Sequence, residues 1–188
     1  MSEKYTTLRI MRESLPLLLL VSLLSVISGQ VLQGHDAIIV SLPVFLLAVP
    51  SFANQSGDIA AVLASRVTTE LYTGSSERSI LKSENMWGSI LGLLLSSSIG
   101  FSLLAFLSYF VAISLGFNTL PIGILWMIIF ISGITTILSV MIVGLAVALI
   151  TYKHGLDPDN FSAPIVTTIS DVIGIFLLFS FATILGGI

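Results

Sequence analysis

Apolar residues run along this chain in long, nearly unbroken stretches, and the polar residues between them are few and clustered. The first stretch covers 14–33. The second covers 37–65; it is strongly apolar to Phe52, turns polar through Asn54, Gln55, Ser56, Gly57 and Asp58, and then becomes apolar again. The third covers 86–115, the fourth 120–152 and the fifth 161–188. A helix needs about 20 mainly apolar residues to cross the hydrocarbon core of a bilayer. Each stretch meets that length, and the excess in several allows tilt without fixing an angle. None shows the two-residue alternation of a barrel strand. Backbone N–H groups at membrane depth need internal partners, so helices are the expected form. The pattern predicts an all-α membrane protein, a bundle of five transmembrane helices forming a single transmembrane domain over 1–188.

Composition points the same way. Of 188 residues, 55% are hydrophobic and 9% charged, where soluble domains carry about 25% charged residues. Most of such a surface belongs in lipid. No cysteine is present, which excludes disulfides, thiolate metal sites and cysteine nucleophiles. The net charge of −3 and the lack of a basic cluster argue against nucleic acid as a partner. Pro16 lies near the start of the first apolar run and no small-residue cleavage site follows it, unlike a cleaved signal peptide.

Charge orders the loops. Lys4, Arg9 and Arg12 precede the first span; Arg66, Arg78 and Lys82 lie between the second and third; Lys153 lies between the fourth and fifth. In a five-span arrangement all seven basic residues fall on one side. The other side holds His35, Asp36 and the turn 116–119. The positive-inside rule then puts the N-terminus in the cytoplasm and the C-terminus outside. The polar stretch 68–85 is a cytoplasmic loop, partly helical. Five spans without an internal repeat cannot build a pseudo-symmetric pathway alone, which points to a homodimer around a two-fold axis.

Gly88, Gly92, Ser96 and Gly100 recur every four residues, so another helix can approach that face closely. Packing within one subunit is the ordinary reading and a dimer contact the alternative. Trp87 and Trp126 belong near the membrane interfaces or in the bundle.

The candidate chemistry lies in two acids within apolar spans. Asp171 follows Thr167 and Thr168 by about one turn, and its span holds no Lys or Arg. A charge at the bilayer centre costs roughly 2.5–3.5 kcal/mol on insertion scales, so such an acid is expected to face water, a cation or a proton. Thr167 and Asp171, four apart, share a helix face. Carboxylate and hydroxyl are hard oxygen ligands, suited to Mg²⁺ or another hard cation. The structural alternative is an acid paired with a polar group of another helix. Asp58 is four residues after Asn54, and Gly57 and Pro50 are expected to break or unwind the helix around it, as is tolerated where backbone lines a cavity. The competing reading makes Asp58 a cap or an ion-pair partner of Arg66 near the cytoplasmic surface. Asp157, Pro158, Asp159 and Asn160 open the fifth helix as a turn and N-cap, or else form a cation-collecting mouth. His35 and His154 are expected to be solvated. No nucleophile–base pair, Walker motif or glycine-rich phosphate loop appears, so no enzyme is expected.

The run Pro158-Asp159-Asn160, Pro164, Thr167, Thr168, Asp171 and Gly174 resembles the last transmembrane segment of MgtE-type magnesium transporters. With Asp157 it is especially similar to solute carrier family 41. Asn54-Gln55-Ser56 resembles the Gly-Asn-Gln-Ser part of the second MgtE helix, and Leu63-Ala64-Ser65-Arg66 with Thr68-Thr69 resembles the matching motif of solute carrier family 41. Two motifs, in the second and fifth spans, match in order and spacing, and the resemblance covers about 14–188. The resemblance implies a five-helix subunit that dimerises around a cation pore lined by the second and fifth helices. It puts the key metal-binding aspartate on Asp171 and polar ligands on Thr167, Thr168 and Asn54, with Asp58 an added charge. The transported ion implied is Mg²⁺, with Mn²⁺, Co²⁺, Zn²⁺ and Ca²⁺ as chemical alternatives. Ala53 departs from the family's glycine. About 13 residues precede the first span, so no cytoplasmic regulatory domain is expected unless a separate regulatory subunit supplies one. Membrane lipid and a divalent cation are thus the expected partners. The rival readings are a Na⁺- or H⁺-coupled exchanger and a non-transporting membrane scaffold or partner subunit.

Overall fold

A computed structural model describes residues 7–73, 83–154 and 158–187. Among the described residues six helices follow one another: α1 (Thr7–Gln33), α2 (Asp36–Ser41), α3 (Val44–Tyr72), α4 (Glu84–Ser114), α5 (Ile122–Lys153) and α6 (Pro158–Gly186). No strand occurs among the described residues. Lys4, Arg78, Lys82 and Asp157 lie outside the described residues, as do the side chains of Arg9, Arg12, Asp159 and Asn160. The N-cap expected at the start of the last helix is therefore not described; the helix begins at Pro158, a residue whose fixed φ suits a first helical position.

Among the described residues four helices are long and apolar enough to cross a membrane: Ser14–Gln33 within α1, α4, α5 and Phe161–Gly186 within α6. The protein is a multi-pass membrane protein. The second expected span departs from expectation twice. It is divided at Leu42 and Pro43, where the chain leaves helical geometry (Leu42 φ −131°, ψ 77°), because the residue before a proline is driven out of the α region. Beyond the break α3 runs unbroken for 29 residues, about 44 Å of helix. It is not among the apolar spans because Asn54–Asp58 dilutes it at mid-length. The expected unwinding at Pro50 and Gly57 does not occur: both lie inside continuous α3. The break falls instead at Pro43, at the end of the helix.

The order of packing explains this tolerance. α6 is central and packs against α1, α3 and α5; α4 lies across α3 and α5. The helix with the most polar middle is thus surrounded on three sides by protein, and its polar groups need not all meet lipid. The core is aromatic around the N-terminal half of α3: Phe52 sits 5.2 Å from Phe101, and Phe45 lies 5.6 Å from Phe179, between ring centroids. Hydroxyls within the spans mostly turn back on their own helix, as Ser56 does to the Phe52 carbonyl (2.9 Å) and Thr136 to Ser132 (2.7 Å), satisfying them without a partner helix. α4 ends in a Schellman turn: Gly116, at φ 72°, and Phe117 donate to Ile113 and Ala112. The short connection that follows folds α5 back against α4.

His35 is not simply solvated. Its ring stacks on Phe179 at 4.8 Å and its Nδ1 lies 2.8 Å from the Val31 carbonyl oxygen, so it ties the corner between α1 and α2 to α6. His154 is exposed. Trp87 is exposed, and Trp126 donates from Nε1 to Ser102 Oγ (3.1 Å).

Candidate functional site

The candidate residues meet where α3 and α6 touch. Gly57 faces Thr167: a Cβ at Gly57 would stand 3.2 Å from Thr167 Cγ2 and 3.3 Å from its Cα. Nearer the C-terminal end of α6, Gly174 faces Phe52, whose Cε1 would be 3.2 Å from an added Cβ. Position thus rises on one helix as it falls on the other, and the pair is antiparallel. Counting inward from these two contacts sets Asn54 level with Asp171. Two glycines, one on each helix, let the backbones come this close.

The polar run of α3 divides by helix face. Asn54 and Asp58 lie on the exposed stripe, and Asn54 Nδ2 donates to Asp58 Oδ2 at 3.4 Å. Gln55 points the other way, where its Nε2 donates to the Ser97 carbonyl of α4 (3.4 Å). Ser56 is buried. On α6, Thr167 and Asp171 are half-buried, while Thr168 is buried and its hydroxyl donates to the Pro164 carbonyl (2.8 Å). Thr167 donates to the Ala163 carbonyl (2.9 Å) and lies 3.1 Å from that of Pro164. Asp171 and Thr167 therefore share a partly open face with Asn54 and Asp58 nearby, and Thr168 faces the interior.

The competing reading of Asp58 fails on both counts. It is mid-helix in α3 and caps nothing. Arg66 turns to α4, where its Nη1 donates to Ser89 Oγ at 2.7 Å. Among the described residues no cation pairs with either acid, and no three His, Cys, Asp or Glu side chains gather to hold a metal. The small-residue stripe of α4 also divides: Gly100 packs against Gln55, but nothing lies within 4 Å of the space beside Gly88 or Gly92.

Gly57 is the residue whose role the sequence concealed. Beside Asp58 it reads as a helix breaker; its place on the face next to Asn54 and Asp58, at helical spacing, was the available signal for a packing contact.

A helical, multi-pass bundle that keeps two carboxylates on a partly open face is compatible with the class of membrane transport proteins. The comparison with known families is specific: residues 49–181, most of the chain, match the MgtE family, divalent cation transporters. The chain belongs to that family, whose members are transporters and not enzymes. No curated relative is matched.

Proposed function

We propose that the protein carries a divalent cation, Mg²⁺ foremost, through a pathway on the two-fold axis of a homodimer lined by α3 and α6 of each copy. One observation carries this reading. Asn54 and Asp58 occupy the exposed stripe of α3, level with Asp171, and have no partner from another helix among the described residues. Polar groups at that depth in lipid would be costly; facing a second copy across a hydrated axis, they are solvated.

Two copies of Asp171 across the axis attract a dication. Mg²⁺ demands near-octahedral geometry and gives up water reluctantly. A site that leaves much of its inner water shell in place suits the sparse ligand set, with Asn54, Thr167 and Asp58 accepting or donating hydrogen bonds to the ion's waters. Thr168 holds the turn at Pro164 and does not touch the ion. Such water-mediated binding is weak enough for release. Asp36, exposed at the start of the short α2, draws cations from outside. In this reading α2 and α3 together form the second crossing, five in all, with the N-terminus cytoplasmic.

The test is Mg²⁺ flux into liposomes holding the purified protein, wild type beside Asp171→Ala. Flux that vanishes in the variant, with dimer and thermal unfolding intact, is expected. Undiminished flux in Asp171→Ala would remove Asp171 from the pathway. No flux in either protein would favour a scaffold role. Flux that follows an imposed Na⁺ or pH gradient would make it an exchanger.

A further inference from the structure

A groove of about 600 Å³ lies between α3 and α4, with no residue of α5 in its lining, and reaches from Arg66 and Glu84 along α4. Its mouth holds both charge signs: Arg66 from α3 and Glu84 from the first turn of α4. They form no ion pair with each other among the described residues. Arg66 is braced by one N–H to Ser89 Oγ (2.7 Å) and lines the groove, which leaves further guanidinium N–H groups for an occupant. From the mouth the groove follows α4 past Gly88 and Gly92 to Ser96. From Glu84 to Ser96 is roughly 18 Å of helix. At both glycines a Cβ would meet nothing within 4 Å, so the floor is backbone and open to an occupant.

In a membrane such a groove is filled, and its two ends ask for different chemistry. The open, uncharged floor accepts glycerol and the upper part of an acyl chain. The mouth offers a planar guanidinium, which matches phosphate oxygens bidentately, and a carboxylate that matches a primary ammonium. Arginine near a helix end at headgroup level fits the same picture, and exposed Trp87, one residue before Gly88, marks the interfacial level. We propose that this groove binds one membrane phospholipid whose headgroup joins a phosphate to a primary ammonium, the phosphatidylethanolamine class. An anionic headgroup without the amine would leave Glu84 facing phosphate. A choline headgroup would give it no N–H to accept. This site is separate from the cation pathway and does not depend on it.

The experiment is native mass spectrometry of the full chain, delipidated and offered phosphatidylethanolamine, phosphatidylglycerol and phosphatidylcholine in equal amounts. The wild type should retain phosphatidylethanolamine preferentially. Arg66→Ala should lower its retention about tenfold, the factor set by 1.4 kcal/mol. Glu84→Gln should equalise phosphatidylethanolamine and phosphatidylglycerol while keeping both. Gly92→Leu, which fills the floor and leaves both charges in place, should exclude all three while thermal unfolding and oligomeric state stay as in the wild type. Equal retention of the three lipids by the wild type overturns the proposal, as does unchanged preference in Arg66→Ala. Loss of the dimer in Gly92→Leu also overturns it, since the groove would then be covered by a second copy.

Discussion

Gly57 of α3 and Thr167 of α6 are in backbone-range contact, with 3.3 Å between the Thr167 Cα and the place a Gly57 side chain would begin. This contact sets how far Asn54 stands from Asp171. A methyl group there forces the helices apart by a few tenths of an ångström. Gly57→Ala should lower stability by about 1–3 kcal/mol, the usual cost of overpacking, and should reduce Mg²⁺ flux more than a stability loss of that size explains. Thermal unfolding in detergent and liposome flux on one preparation measure both. An unchanged unfolding temperature would mean that the helices are not held at this point.

Asp58 and Asp171 should separate in kinetics. Asp58→Asn keeps the shape of the side chain and its contact with Asn54 but removes one charge per chain. Flux at low Mg²⁺ should fall several-fold and recover as Mg²⁺ rises, because a charge that concentrates ions acts on apparent affinity. The deficit should shrink at high ionic strength, where screening is strong. A loss that high Mg²⁺ does not restore would make Asp58 a direct ligand.

Phe52 joins the site to the core. Its ring lies over Gly174, 5.2 Å from the ring of Phe101 between centroids, and is fully buried. Phe52→Ala should cost about 3–5 kcal/mol through the cavity it leaves. Chemical unfolding in mixed micelles checks this, and a loss below 1 kcal/mol on the order of surface substitutions would contradict the packing described.

Gly116 holds a left-handed backbone at the end of α4, φ 72°. A β-branched residue adopts that region poorly. Gly116→Val should destabilise by about 1–2 kcal/mol without altering ion selectivity, since the turn lies far along the chain from the α3–α6 contact. Selectivity measured with Mg²⁺ and Ca²⁺ gradients should match the wild type.

Some of this was legible in the residues alone because lipid imposes simple demands. Long apolar runs must be helices, and their ends fell within a few residues of 86–115 and 120–152 because the bilayer, not packing, sets their length. Asp171 stood out for the same reason: an acid with no cation in its span has to be explained wherever the helix goes. The family motifs around Asn54 and Thr167 carried the class of protein as well.

What the sequence left open were questions of facing, which depend on neighbours. Asn54, Gln55, Ser56 and Asp58 are consecutive or nearly so, yet one pair is exposed, one reaches Ser97 and one is buried; a linear run of polar residues does not say which way a helix is turned. Pro50 and Gly57 favour a break by local propensity, and packing of α3 against α4, α5 and α6 overrode it. The chain by itself determined that the fold is helical and which acid lies in an apolar span without a cation. Only the tertiary structure decided that Gly57 meets Thr167, that Arg66 serves α4 and not Asp58, and that Gly88 and Gly92 stand open, because each is a contact between elements distant in the chain.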